Sequence, residues 1–264
     1  MYFPKDIASL RRVYKYIIDN DIMYFIIGNG TNVLINERYF NQVFINLKNI
    51  DIFEKINDSK YLISSGKTSS KVAYELSKKG YTGLEFLSVI PGSIGGAIYM
   101  NAGAYNKEMI DIIEYVLFIN EKAELVLMNK DECLFNYRTS VFQKMQGIIV
   151  AVIINIKKSK YKEAPIQKIR EYVSNKKENQ PLGQNNAGST FKNLPNVNAW
   201  QIVDKLGYRG KTYGGAKVSN KHTNFIINNN GATFDDIYNL TMEIKEKAKE
   251  VLDIDLECEW KIIK

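Results

Sequence analysis

The stretch that decides the fold is Pro91-Gly92-Ser93-Ile94-Gly95-Gly96, followed by Met100-Asn101-Ala102-Gly103-Ala104-Tyr105. Glycine lets a backbone come close to a ligand and turn successive amides toward it. Such groups of amides favour anions, above all phosphates. Proline fixes the direction in which the chain enters the loop. The spacing alone also fits a tight structural turn, because glycine-rich loops are common.

A second glycine-bearing loop, Gly28-Asn29-Gly30-Thr31-Asn32, follows the apolar run of residues 22–27. It is too short for the dinucleotide fingerprint, which needs a third glycine and a later ribose-binding acid. By itself it fits a turn that ends a strand. Two glycine loops that follow strands in one half of the chain together favour a ligand with two phosphates.

Three later motifs carry polar groups that could act on a ligand. Arg138, in Tyr137-Arg138-Thr139-Ser140, could contact a carboxylate or phosphate at two points, although it also fits a surface arginine. Ser189 lacks a neighbouring base and a Gly-x-Ser-x-Gly elbow, so proton donation or capping remains for it. Glu257 and Glu259 lie two apart on the predicted last strand and share one face.

The periodicity of apolar residues predicts an α+β chain with two parts. We predict helices over 7–20, 69–79, 165–178, 198–206 and 234–252. We predict strands over 22–27, 33–35, 43–47 (after a polar turn), 61–66, 112–119, 124–128, 147–156, 218–228 and 255–263. The charged stretch 157–163 suggests a boundary, which gives domains 1–158 and 159–264.

The composition indicates a globular chain: 45% of its 264 residues are hydrophobic and 25% are charged. The net charge of +7 fits an anionic ligand, nucleic acid or membrane surface, or simply a lysine-rich exterior. One histidine, His222, and two distant cysteines, Cys133 and Cys258, predict no metal site and reduced thiols. No nucleic-acid motif, signal peptide or membrane-length apolar run is evident, so we expect a cytoplasmic protein.

Five motifs in order resemble those of one family, the UDP-N-acetylenolpyruvoylglucosamine reductases. The resemblance extends from about Phe3 to Ile263. The motifs are Gly28-Asn29-Gly30-Thr31-Asn32, the segment from Gly83-Leu84-Glu85 through Ile90–Gly96 to Tyr105, Tyr137-Arg138-x-Ser140-x-Phe142, Ala187-Gly188-Ser189-x-Phe191-Lys192-Asn193, and Leu256-Glu257-x-Glu259.

The resemblance implies a flavin-binding domain of the vanillyl-alcohol-oxidase (PCMH) type, followed by a smaller α+β substrate domain. It implies an FAD-dependent oxidoreductase that uses NADPH to reduce UDP-N-acetylglucosamine enolpyruvate to UDP-N-acetylmuramate, in peptidoglycan precursor synthesis. A UDP-sugar substrate is implied, and we expect a monomer without nucleic-acid or membrane partners. The family's N-terminal segment before Met1 is expected to be missing, and the chain resembles the shorter subtype.

The resemblance also assigns residues by motif position. Arg138 and Glu259 are expected to polarise the substrate carboxylate, and Ser189 is expected to donate the proton. The residues expected at the substrate are Tyr137, Asn193 and Lys261. Those expected at the flavin are Gly28, Asn29, Gly30, Thr31, Asn32, Pro91, Gly92, Ser93, Gly95, Gly96, Asn101, Gly103 and Ala104.

Two other classes of protein remain open at this point, as does a member of the same family that has lost its flavin through a short N-terminus. Another flavin enzyme of the same superfamily would also carry the glycine loops, but the Ser189 and Glu259 motifs favour the reductase. A basic protein that binds a polyanion would fit the charge, although the lysines are scattered.

Overall fold

A computed structural model describes residues 1–36 and 42–264 of the chain. The chain folds as two compact units: the first comprises Met1–Asn29 and Phe40–Ser174, and the second comprises Gly30–Tyr39 and Asn175–Lys264. The expected boundary after residue 158 differs from this division, because the first unit continues into the helix that follows. Most of the polar turn expected between the second and third strands lies outside the described residues.

The described residues form helices and strands in the α+β arrangement that the sequence predicts. The helices are α1 (Ile7–Asp19), α2 (Ser69–Lys78), α3 (Ile94–Tyr99), α4 (Ala164–Asn179), α5 (Ala199–Lys205) and α6 (Phe234–Leu252). The strands are β1 (Tyr24–Ile26), β2 (Val33–Ile35), β3 (Val43–Ile45), β4 (Phe53–Lys55), β5 (Lys60–Ser64), β6 (Tyr81–Thr82), β7 (Gly103–Ala104), β8 (Lys107–Glu108), β9 (Ile113–Ile119), β10 (Leu125–Asn129), β11 (Ile148–Asn155), β12 (Lys157–Lys158), β13 (Thr212–Tyr213), β14 (Ala216–Val218), β15 (Ile226–Asn228) and β16 (Lys261–Ile263).

The first unit is built on an antiparallel sheet with strand order β10-β9-β11-β5-β4. Strand β11 is apolar on both faces because it separates two cores. Its Ile148 and Val150 pack in one core with Leu10 and Ile17 of α1. Ile149 and Val152 pack in the other core, which also holds residues of α2 and α3. A separate parallel pair, β1 with β3, carries the first glycine loop at its end.

The second unit contains a three-stranded sheet, β13-β14-β15, and a parallel pair, β2 with β16. Its core combines apolar residues of α5 and α6 with Leu34 from β2 and Trp260. Helix α6 begins with a capping box between Thr233 and Asp236 and matches its predicted bounds. A segment from the first part of the sequence therefore completes the second unit.

Two predicted strands were too long. Residues 218–228 hold the last residue of β14 and the whole of β15, which are joined by a turn in which the Ser219 hydroxyl accepts hydrogen bonds from the amides of Lys221 and His222. This side chain competes with the sheet for backbone groups and ends the strand. In residues 255–263 only β16 is a strand, preceded by a single bridge between Phe191 and Cys258. Among the described residues no helix is long and apolar enough to cross a membrane.

Candidate functional site

Gly28, which begins the first predicted glycine loop, meets the second loop in the first unit. A Cβ placed on Gly28 would collide with the hydroxyl of Ser93, and would lie 3.3 Å from its Cβ. The Ser93 hydroxyl accepts a hydrogen bond from the Gly96 amide (3.3 Å) and so caps α3. The Gly28 carbonyl accepts one from Asn46 Nδ2 (2.8 Å). Only glycine at position 28 permits this approach, so the structure brings together two segments 65 positions apart, from Gly28 to Ser93.

Part of the second loop is helical, which differs from the loop that the sequence predicts. Residues 94–99 form α3, and Gly95 packs against the end of β5, where its Cβ would lie 2.8 Å from Ser65 Cβ. The Gly95 amide donates to the Ser65 carbonyl (2.9 Å). The buried hydroxyls of Ser65 and Ser69 have no hydrogen-bond partner within the described part of the chain. The glycines thus serve close packing, and unused hydrogen-bonding capacity lies beside them.

Arg138 lies beside the third part of the glycine-rich segment. Its Nη2 donates to the Gly103 carbonyl (3.0 Å), and its Nη1 is 3.7 Å from Oε1 of Glu108. Its guanidinium carbon is 4.9 Å from the ring centroid of Tyr137, which is half exposed. Glu108 was absent from the predicted site, although it follows Gly103 by only five positions. The unit therefore presents a guanidinium whose orientation is fixed by a carbonyl and a carboxylate.

The remaining residues of the Tyr-Arg-x-Ser-x-Phe motif support this segment from inside. The buried hydroxyl of Ser140 donates to the Tyr99 carbonyl (2.7 Å). The buried ring of Phe142 packs on Phe118 with 5.1 Å between ring centroids. These contacts anchor the segment that carries Arg138 to the C-terminal end of α3 and to β9.

In the second unit the two remaining motifs pair with each other. The Lys192 amide donates to the Glu257 carbonyl (2.9 Å), and the Glu259 amide donates to the Thr190 carbonyl (2.9 Å). Ser189 precedes Thr190 and is half-buried, and Glu259 is half-buried as well. The predicted site residues Ser189 and Glu259 are 70 positions apart in the sequence. Antiparallel pairing brings their segments side by side.

Two asparagines hold these segments, and the sequence predicts a role for only one of them. Asn224 donates from Nδ2 to the Phe191 carbonyl (2.8 Å) and accepts from the Phe191 amide (2.9 Å). Asn32 donates to the Glu259 carbonyl (3.0 Å), and the Lys261 amide donates to the Asn32 carbonyl (3.0 Å). Asn32, predicted as a cofactor residue, thus also fixes the chain around Glu259.

Other predicted residues have mixed surroundings in the second unit. Asn193 accepts from the Ala199 amide (2.9 Å) at the start of α5, and Lys261 is exposed. His222 lies against the rings of Trp200 and Phe225, and burial lowers the pKa of its imidazole. Within residues 1–36 and 42–264 no group of three or more His, Cys, Asp and Glu could hold a metal ion.

A cavity of about 630 Å³ in the first unit includes none of the predicted site residues. It is lined by Lys55, Tyr61, Lys78, Lys79, Gly80, Tyr81, Lys158, Ser159 and Lys162. Lys55 pairs with Asp58 (2.6 Å), and Lys158 lies over the Tyr81 ring (3.9 Å). These contacts are those of a solvated basic surface.

Comparison with known proteins identifies the family. A family model described as "UDP-N-acetylenolpyruvoylglucosamine reductase, C-terminal domain" matches residues 180–263, and one described as "FAD binding domain" matches residues 1–129. The reductase of Caldanaerobacter subterraneus is 38% identical over 260 residues, covering 98% of this chain and 85% of the relative. That of Bacillus licheniformis is 35% identical over 267 residues, covering 100% and 87%.

The chain belongs to the UDP-N-acetylenolpyruvoylglucosamine reductase family. The solved reductase of Thermus caldophilus superimposes with a TM-score of 0.84 at 28% identity, over 99% of this chain and 91% of that structure. The expected fold is confirmed: a PCMH-type FAD-binding domain with the reductase C-terminal domain. Members of the reductase family are FAD-dependent oxidoreductases.

Proposed function

We propose that this chain reduces the enolpyruvyl group of UDP-N-acetylglucosamine enolpyruvate to give UDP-N-acetylmuramate, with FAD as cofactor and NADPH as reductant. Family membership over nearly the whole chain is the observation that carries the proposal. The net charge of +7 supports it, since a UDP-sugar and NADPH are both polyanions. The product is a precursor of peptidoglycan.

The residues of the first unit fit FAD. Gly28 and Gly95 allow approaches that a Cβ would block, and the unpartnered hydroxyls of Ser65 and Ser69 lie beside them. The residues that would hold FAD are Gly28, Asn29, Gly30, Thr31, Asn32, Pro91, Gly92, Ser93, Gly95, Gly96, Asn101, Gly103 and Ala104. Bound FAD supplies the transfer of a hydride from NADPH to the enolpyruvyl double bond. The chain itself binds and orients the reactants.

Three residues are proposed to act on the substrate. Arg138 holds the substrate carboxylate, so that its positive charge stabilises the negative charge that grows there during the reaction. Glu259 orients the same part of the substrate. Ser189 gives its hydroxyl proton to the carbon next to the one that receives the hydride. The hydride and the proton together complete the addition across the double bond. Tyr137, Asn193 and Lys261 are proposed to bind the rest of the substrate.

We further infer the wider setting of the enzyme. Residues 1–158 would form the FAD-binding domain, which also carries Arg138 and Tyr137, and residues 159–264 would form the substrate-binding domain. A monomer in the cytoplasm is proposed, where the free thiols of Cys133 and Cys258 would stay reduced. Because peptidoglycan encloses the cell, loss of the enzyme would disturb cell shape and division.

A visible absorption spectrum of the purified protein tests the proposal. We expect a yellow protein that anaerobic NADPH bleaches and the enolpyruvyl UDP-sugar recolours. UDP-N-acetylglucosamine, which lacks the enolpyruvyl group and its double bond, is the matched control and should leave the protein bleached. A protein that takes up no added FAD, or that the substrate does not recolour, would contradict the proposed reaction.

A further inference from the structure

Arg138 lies in a tight turn that is held by other parts of the first unit. Asn136 and Thr139 form two hydrogen bonds between their amides and carbonyls (3.1 and 3.0 Å), with Tyr137 and Arg138 between them. The φ angle of Arg138 is 52°, in the left-handed region that few residues with a side chain adopt. Such a conformation persists only where the surroundings impose it.

Asn101 links this turn to a carboxylate. Its side chain is fully buried, and its Nδ2 donates both to the Asn136 carbonyl (3.0 Å) and to Oε2 of Glu108 (2.8 Å). Its Oδ1 accepts from the Ile110 amide (3.1 Å). Three hydrogen bonds fix this amide, so the distance between the Arg138 turn and Glu108 is fixed as well.

Glu108 in turn faces the guanidinium. It pairs with Gly103 across the β7–β8 hairpin, where a Cβ on Gly103 would lie 2.7 Å from Glu108 Cγ. The absence of that Cβ gives the Glu108 side chain its position. Its Oε1 lies 3.7 Å from Arg138 Nη1, while Nη2 of the same guanidinium donates to the Gly103 carbonyl (3.0 Å). The Arg138 side chain is 17% exposed, so this attraction is only partly screened by water.

We propose that Glu108 and Asn101 are positioning residues, which hold the Arg138 guanidinium in the orientation needed to act on the substrate carboxylate. The inference rests on the proposed function of Arg138. Neither residue needs to contact the substrate. The separation of 3.7 Å places the carboxylate near enough to orient the guanidinium, and it is longer than the 2.7–2.9 Å of a close charge-assisted hydrogen bond.

The substitution Glu108→Gln tests this role, because the amide keeps the size of the side chain and can still accept from Asn101. We expect reoxidation of the reduced protein by the enolpyruvyl UDP-sugar to slow roughly 10- to 100-fold, as for a displaced catalytic group. Reduction by NADPH should change less than about twofold, because Arg138 acts on the other substrate. In calorimetry, the oxidised protein should also bind the enolpyruvyl UDP-sugar more weakly.

Glu114→Gln is the matched control. Glu114 lies in the same unit, its side chain is 25% exposed compared with 31% for Glu108, and it pairs with Lys60 (2.6 Å). Loss of that ion pair should leave both half-reactions and substrate binding unchanged. If Glu108→Gln does not fold, Glu108→Asp, which keeps the charge on a shorter side chain, is judged by the same measurements.

The double variant Arg138→Ala/Glu108→Gln decides whether Glu108 acts through Arg138. Reoxidation should then be as slow as in Arg138→Ala alone, because a positioning residue has nothing left to position. A further loss in that background, or equal losses in both half-reactions of Glu108→Gln, would overturn the inference. If Arg138→Ala slows reoxidation but Glu108→Gln does not, the positioning role alone fails. If Arg138→Ala has no effect, the proposed function of Arg138 fails with it.

Discussion

Ser189 can be distinguished from the hydroxyl next to it. Its half-buried side chain is the proposed proton donor, whereas the adjacent Thr190 hydroxyl is fully buried and has no hydrogen-bond partner among the described residues. We predict that Ser189→Ala slows reoxidation by the enolpyruvyl UDP-sugar by about 10²- to 10⁴-fold, the usual effect of removing a general acid. Reduction by NADPH should be unaffected. Stopped-flow absorbance follows both steps separately.

Thr190→Val is the control for that experiment. This substitution replaces a buried hydroxyl by a methyl group of nearly the same shape. Because that hydroxyl makes no hydrogen bond among the described residues, none is lost when valine replaces threonine. We expect normal rates in both half-reactions. Equal losses in the two half-reactions of Ser189→Ala would exclude Ser189 as proton donor.

Cys133 illustrates how burial controls reactivity at a single residue. Burial raises the pKa of its thiol to about 12, and its Sγ lies 3.2 Å from the Asn129 carbonyl. At pH 8 only about one thiol in ten thousand is then a thiolate, the reactive form. The variant Cys258→Ser keeps Cys133 as its one cysteine. We predict that an aromatic disulfide reagent reacts with Cys133 in the folded variant at least about 100-fold more slowly than in the same variant unfolded by urea. The native rate should still rise with pH up to pH 10, and a fast, pH-independent reaction at pH 8 would contradict the prediction.

At the scale of elements, the contact between the first glycine loop and α3 depends on the missing Cβ at Gly28. We predict that Gly28→Ala destabilises the protein without FAD by about 1–3 kcal/mol, as overpacking does, and weakens FAD binding. In Gly96→Ala the new Cβ would lie 3.5 Å from the Ser93 hydroxyl, an ordinary contact. Alanine also favours a helix, so the thermal midpoint of that FAD-free variant should not fall. An unchanged midpoint for Gly28→Ala would refute the steric argument.

The elements also show what the sequence could predict. Long periodic segments such as α6 were predicted to the residue, because their apolar pattern and caps agree. Helix α3 was missed because glycines at positions 95 and 96 suggest a loop, and the packing against Ser65 that explains Gly95 is not visible in the sequence. The motifs gave candidate site residues, but Glu108, Asn224 and Ser65 were missed. Their roles depend on contacts between segments, which no local pattern contains.

At the scale of the whole molecule, no single position in the sequence separates the two units, because each unit is formed from two separate stretches of the chain. The first glycine loop leads from β1 of the first unit directly into β2 of the second. Strand β2 pairs with β16, the strand that follows Glu259, and Asn32 holds Glu259 by its carbonyl. A sequence boundary drawn from composition cannot reveal this, because residues 30–36 join a unit whose remaining residues begin at 175. The stability of the Glu259 segment therefore depends on residues near the N-terminus.

Leu34 provides the test. It lies in β2, is 8% exposed, and belongs to the core of the second unit. We predict that Leu34→Ala destabilises that unit by about 2–4 kcal/mol, as for other buried leucines. Hydrogen exchange measured by mass spectrometry, compared with that of the unsubstituted protein, should then accelerate more in β14, β15 and α6 than in β9 and β11. Leu87→Ala, in the core of the first unit, is the matched control and should give the opposite pattern. Faster exchange confined to the first unit in Leu34→Ala would mean that β2 does not stabilise the second.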